Sequence, residues 1–209
     1  MLYTCDRCGK TRADQQVDRQ RSVAICPECG FERPVMLPPL FAVGGASGTG
    51  KTAVCKALAG KIPGVIVLDG DVLWDDKRYS SRDPGEFYEN ALRLAMNIGQ
   101  SGTAAAIFHA GFGIPDNLEN CTARRYFSKI HYLALFCSDD ELEARLFRRP
   151  TVNGEAGRGF VNAMKGFNNF FRFYSAENTA YPPVDKLDTT GVSLEETAAR
   201  TTEWIKSKI

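Results

Sequence analysis

The stretch Leu40-Phe41-Ala42-Val43-Gly44-Gly45-Ala46-Ser47-Gly48-Thr49-Gly50-Lys51-Thr52 decides the fold. Its apolar start reads as a buried strand, and from Gly45 to Thr52 it fits G-x-x-x-x-G-K-[ST] without a mismatch. A helical pattern follows over 52–59, so the motif sits in the strand, loop, helix context that confirms it. Glycines let successive backbone N–H groups turn inward, and the helix adds its partly positive N-terminus, a combination that cradles phosphate. Gly45, Ser47, Gly48, Thr49 and Gly50 are the candidate cradle. Lys51 is placed to reach β- and γ-phosphates, and the Thr52 hydroxyl to ligate Mg²⁺.

Outward from this stretch, apolar runs keep alternating with helical patterns. Strands are expected at 40–43, 65–68, 104–108, 132–136 and 184–187, the signature of a parallel sheet with crossover helices. Pro84 opens a helix with Phe87, Ala91, Leu94 and Ile98 on one stripe and Gly99 at its end. Capping-box spacings pair Asp116 with Glu119, Ser138 with Glu141 and Ser193 with Glu196. The expected architecture is α/β: a five-stranded parallel sheet over 37–209 with helices on both faces, plus a small module over 1–36. The second strand runs straight into Asp69-Gly70-Asp71, which puts two carboxylates at the edge where open α/β sheets bind ligands. Asp69 is assigned to magnesium and its water, Asp71 to accepting a proton from an acceptor hydroxyl. A plain turn is the alternative.

The first module is read from its cysteines. Four of the seven lie at Cys5, Cys8, Cys26 and Cys29, two C-x-x-C pairs separated by 17 residues, which is the four-cysteine zinc ribbon pattern. Such a set closes a tetrahedral structural Zn²⁺ site and leaves no open position for catalysis. The start of the chain shows no secretory signal pattern, so a reducing, cytoplasmic setting is expected. With 26 basic and 25 acidic side chains the net charge is +1, which gives no broad field for nucleic acid or anionic lipid. No apolar run approaches the ~20 residues of a membrane-spanning helix.

A phosphate cradle, a strand ending in Leu-Asp-Gly-Asp, then Trp74 and a helix together resemble the small P-loop kinases of the nucleotide and nucleoside kinase superfamily. Gluconate kinases and adenylylsulfate kinases share the D-G-D pattern. The resemblance covers 39–209 and implies ATP and Mg²⁺ as cofactors and a small-molecule acceptor. In that group the first aspartate goes with the metal or its water and the second with the acceptor. The helix over 141–149 carries Arg145, Arg148 and Arg149, and the glycine-rich segment after it ends at Arg158-Gly159, which resembles the lid of such kinases. Arg148 and Arg149 are the leading transition-state arginines, while Arg145 is also explained by an i,i+4 pair with Glu141. The loop Asp188-Thr189-Thr190-Gly191 matches the one that holds adenine in these kinases, with Thr190 and Gly191 as backbone contacts, although a helix-entry turn explains it too. Those kinases commonly lack a four-cysteine ribbon, so 1–36 inherits nothing from the comparison.

Acceptor-pocket candidates are Trp74, Arg78, Tyr79 and Arg82 after the second strand, and His109 and Asn117 after the third. The aromatic rings could stack on a base and the arginines grip a phosphate or ribose, against packing or solvated charge as the plainer roles. His131 is expected to be structural. Phe160, Met164, Phe167, Phe171 and Tyr174 recur at helical spacing as a core stripe, leaving Asn168, Asn169 and Arg172 toward the cleft. The expected function is transfer of the ATP γ-phosphoryl group to a nucleoside or nucleoside monophosphate. The alternative is a nucleotide-dependent switch whose ribbon binds RNA, DNA or a protein. Residues 1–38 carry six basic and five acidic side chains. Zinc with four thiolates brings the module to about −1, so nucleic acid is not favoured.

Overall fold

The computed structural model describes residues 3–79, 84–174 and 180–209. Five parallel strands form the central sheet: β4 (Leu40–Gly44), β5 (Val65–Asp69), β6 (Ala104–Phe108), β7 (Ile130–Phe136) and β8 (Val184–Asp188), in the spatial order β5-β6-β4-β7-β8. After β4 the chain goes to one side through β5 and β6, then to the other through β7 and β8. The carboxyl end of β4 is therefore the switch point where such sheets open a crevice.

Alternation along the strands sends side chains to two apolar layers. Phe41, Val43, Ala106 and Leu133 pack with Val54 and Leu58 of α1 (Lys51–Leu58) and Ala198 and Ile205 of α7 (Leu194–Lys206). On the other face, Leu40, Ala42, Ile107 and Tyr132 pack with Phe87, Ala91, Leu92 and Met96 of α3 (Gly85–Gly99) and Leu118 of α4 (Asp116–Glu119). Helices thus cover both faces, as expected. The α3 stripe differs in detail: Ala95 and Met96 are buried, while Leu94 is 39% exposed. The two buried rows run i,i+4 from Phe87 and from Tyr88, and Gly99 allows close approach to Pro38. Ser138 and Ser193 cap α5 (Asp139–Phe147) and α7 by accepting from Glu141 and Glu196 N–H at 3.3 and 3.1 Å. Asp116 does not cap; it lies inside α4, behind Pro115.

The segment after α5 turns over 148–153 and its glycine-rich part is helical from Gly154. Helix α6 spans Gly154–Phe173 and buries Gly157, Val161, Asn168 and Phe171, with Met164 packed beside them. The core stripe is therefore rotated from the aromatic one, and Phe160 is left 37% exposed. Gly157 holds the register, because a Cβ there would meet the Val152 backbone at 2.9 Å. Asn168 turns away from solvent entirely. It accepts from Cys137 N at 3.1 Å and donates to Cys137 O at 2.7 Å, pairing with the end of β7 as another strand would.

The N-terminal residues form an antiparallel sheet of β1 (Gln16–Asp18), β2 (Val23–Ile25) and β3 (Glu32–Pro34). It docks on the α3 face: Ala24 and Val35 join the apolar layer there. Arg125 donates to Gln15 O at 2.6 Å, and Arg19 to the carbonyls of Phe127 and Ser128. No helix among the described residues is long and apolar enough to cross a membrane.

Candidate active site and metal cluster

The loop after β4 reaches α1 with Gly48 and Gly50 at φ of 94° and 99°, a left-handed backbone that only glycine adopts without strain. Helix α1 begins uncapped by any side chain, so its first N–H groups lack helical partners and stand at the loop. Lys51 folds back and donates from Nζ to Ala46 O at 2.9 Å, while buried Thr49 donates to the same carbonyl at 2.9 Å. Burial lowers the Lys51 pKa to about 8 despite the attraction of Asp71 and Asp69. A cavity of about 300 Å³ opens here, walled by Ser47, Gly48, Gly50, Lys51, Thr52 and Ala53 together with Asp71, Arg145 and Arg149.

Strand β5 leads one carboxylate, that of Asp71, to this cavity, while Asp69 is not among the described wall residues. Asp69 ends the strand and accepts from Asp71 N at 3.2 Å, starting a 3-10 turn over Gly70–Leu73 that swings Asp71 to the cavity wall. Burial and the neighbouring Asp69 charge raise the Asp71 pKa. His109, just past β6, holds Nε2 at 3.9 Å from Asp71 Oδ1. Its Nδ1 accepts from Gly111 N at 3.2 Å, which assigns the proton to Nε2, and burial lowers its pKa to about 4. The pair is a neutral imidazole beside a carboxylate, not a charge pair.

Arg145 is committed on several sides. It meets Glu141 at 3.0 Å, the i,i+4 pair read from the sequence, and also Thr189 Oγ1 at 3.0 Å, Thr189 O at 2.8 Å and Gly48 O at 3.4 Å. It also walls a second, more apolar cavity of about 270 Å³ with Thr49, Ala53, Thr189, Val192, Leu194 and Thr197. Thr190 instead accepts from Ser138 N at 2.8 Å. Arg148 lies exposed at the end of α5 and Arg158 exposed on α6, both apart from these walls.

The acceptor-side candidates gather by packing. Trp74 stacks on His109 at 5.6 Å and meets Tyr79 and Phe87, and its Nε1 donates to Asp76 at 2.6 Å. Arg78 pairs with Glu86. Asn117 donates to Gly111 O at 2.9 Å. Arg82 lies outside the described residues. Asn169 does not line these cavities; it donates to Asp139 at 3.1 Å. His131 stacks on Phe41 at 5.5 Å, a structural place as expected. Val192, Leu194 and Thr197 escaped sequence reading because they line a wall only once α7 docks beside α1.

At the N-terminus the sulfurs of Cys5, Cys8, Cys26 and Cys29 all lie within 4.8 Å of one another. The Cys5–Cys29 and Cys8–Cys26 separations are 3.7 and 3.9 Å. A tetrahedral zinc with Zn–S near 2.3 Å spaces its sulfurs ~3.8 Å apart, so the cluster fits the ion. Gly9 and Gly30 turn the two knuckles back, donating to Cys5 O and Cys26 O at 2.9 Å each.

No family model and no curated protein matches the chain. Solved structures do. A sugar kinase from Janibacter sp. HTCC2649 aligns with TM-score 0.58 at 13% identity over 81% of this chain and 95% of its own. The tunicamycin resistance protein of Deinococcus radiodurans gives 0.56 at 20% identity over 80% and 95%. A gluconokinase from Sinorhizobium meliloti 1021 gives 0.51 at 14% over 83% and 98%. The chain has the P-loop kinase-like fold of these structures, with a four-cysteine cluster able to hold a metal at its N-terminus.

Proposed function

We propose that the protein transfers the γ-phosphoryl group of ATP to a small molecule of the nucleoside, nucleotide or sugar class. The observation that carries this reading is one cavity shared by the Ser47–Ala53 loop, the Asp71 carboxylate and the Arg149 guanidinium. The loop amides, the start of α1 and Lys51 bind the triphosphate, Lys51 leaving Ala46 O for phosphate oxygens. The adjoining cavity beside Arg145 and Thr189 receives the adenine ring. Thr52 and Asp69 would hold Mg²⁺, which supplies charge neutralisation across the β- and γ-phosphates. Asp71 takes the acceptor proton, and its raised pKa brings it nearer the working pH of a general base. Arg149, with Arg148 drawn in beside it, stabilises charge on the transferring group.

The zinc ribbon is proposed as a structural module over 1–36 ahead of a kinase domain over 37–209. Its basic side chains are largely taken up internally: Lys10 and Arg12 by Glu28, Arg21 by Glu32, Arg33 by Asp6. That counts against a nucleic-acid grip. Incubating the protein with ATP, Mg²⁺ and pooled nucleosides, nucleotides and sugars, then weighing the products, tests the reading. A product heavier by one phosphoryl group is expected; ADP formation with no phosphorylated acceptor would favour the switch.

A further inference from the structure

A cavity of about 490 Å³ opens between α3 and α4, apart from the two already described. It adjoins the transfer site through two of its own wall residues. Tyr88 lies with its ring 6.2 Å from that of His109, the neighbour of Asp71, and Asn117 is bound to Gly111 just beyond His109. We propose that this cavity holds the phosphoryl acceptor and selects a hydroxyl compound that carries no phosphate, either neutral or amine-bearing. The proposal rests on the phosphotransferase reading above and narrows its substrate.

The reason is a donor and acceptor count along the wall. Glu86, Glu89 and Asp116 present carboxylates, which when ionised only accept. Arg93, the one cation among the described lining residues, is held by Glu89 at 2.8 Å with its guanidinium over the Tyr3 ring at 5.5 Å. Asn117 commits one N–H to Gly111 O, and Asn120 commits its NH₂ group to Asp116, at 2.7 Å to the carboxylate and 3.1 Å to the carbonyl. Arg78, beside the cavity, is paired with Glu86. Glu89 is also taken by Ala123 N at 3.2 Å. What remains is mostly acceptor: Glu86 and Asp116 each keep a second carboxylate oxygen and Asn117 and Asn120 their amide oxygens, against the hydroxyls of Tyr88 and Thr122 and one N–H of Asn117. A ligand rich in O–H or N–H groups satisfies these acceptors. A phosphate brings only acceptors and negative charge to a wall with three carboxylates, and would lose its water for a few neutral donors and no uncommitted cation among the described lining residues.

In the step itself, the acceptor hydroxyl oxygen bonds to the γ-phosphorus. The bond from that phosphorus to the β–γ bridging oxygen breaks, ADP leaves with the electron pair, and the hydroxyl proton passes to Asp71. Thr122 offers a clean probe of the site. It lines the cavity but is exposed, and its backbone carbonyl, not its side chain, accepts from Arg125 at 2.8 Å.

The experiment pairs uridine with uridine monophosphate, glucose with glucose 6-phosphate and glucosamine with glucosamine 6-phosphate, offered with ATP and Mg²⁺ to the full chain and to Thr122→Trp. Binding of the non-hydrolysable analogue AMP-PNP is measured alongside by calorimetry. Expected are phosphorylation of a phosphate-free member, a loss of about tenfold or more in Thr122→Trp, as blocked substrate contacts produce, and unchanged AMP-PNP affinity. Transfer to a phosphorylated member, undiminished transfer by Thr122→Trp, or bound AMP-PNP with every phosphate-free member untouched would each overturn the acceptor assignment. Failure to bind AMP-PNP would instead remove the phosphotransferase reading on which it rests.

Discussion

Lys51 Nζ donates to the carbonyl of Ala46 at 2.9 Å, within the loop that walls one cavity together with Asp71, Arg145 and Arg149. A buried ammonium held by a single carbonyl gains strongly when phosphate oxygens replace that partner. Lys51→Ala is expected to lower transfer by about 10² or more while the fold persists, because the variant removes a buried charge rather than a packed apolar side chain. Rate assays beside circular dichroism check both halves.

Asp71→Asn keeps the shape of the side chain and its place on the cavity wall but cannot take a proton. Transfer should fall by about 10² or more with little change in nucleotide affinity. A near-normal rate would leave the carboxylate only a positioning role.

Arg145 binds Gly48 O and Thr189 at once, so it fixes the phosphate loop relative to the wall of the adjoining cavity. Arg145→Ala should raise the KM for ATP about tenfold and affect kcat less, since the contacts it removes support nucleotide binding in ground and transition states alike. Steady-state kinetics at saturating acceptor separates the two.

His109 and His131 both have pKa values near 4 through burial, against an ordinary 6.5. The unfolded chain takes up these protons near pH 6.5, whereas the folded chain resists until about 4. Their contribution to stability is therefore complete above 6.5 and is lost as pH falls through that window. For His109, whose side chain is 10% exposed, the loss amounts to up to about 3 kcal/mol. Urea denaturation from pH 7 to 4 should show the decline, and a shallower one in His109→Phe.

Metal analysis is expected to find one zinc per chain. Because Ala24 and Val35 lie in the apolar layer under α3, stripping the ion should lower the melting temperature of the whole chain, not just of its first residues. Calorimetry of chelated and zinc-restored protein checks this.

Features encoded by local chemistry were legible in the sequence. The run from Leu40 to Thr52, the Asp69-Gly70-Asp71 corner, the caps at Ser138 and Ser193 and the four cysteines each declare themselves within a few residues. What escaped depends on partners distant in sequence. Asn168 looks like a polar cleft residue until Cys137, 31 positions earlier, takes both of its hydrogen bonds. Gly154, Gly157 and Gly159 resemble a loop, yet packing on Val152 overrides their weak helix preference. Trp74 and Tyr79 carry the same residue types whether they stack on a ligand or on Phe87, and only the fold distinguishes these.

The ribbon's landing place lies far along the chain: Arg19 reaches Phe127 across 108 positions and Arg125 reaches Gln15 across 110. During synthesis Gln15 and Arg19 leave the ribosome long before their partners exist. In that interval the nascent segment has only its own local order, the two knuckle turns and the β1–β3 sheet, and an ion held by the four cysteines would act as a clasp on both until the middle of the chain arrives.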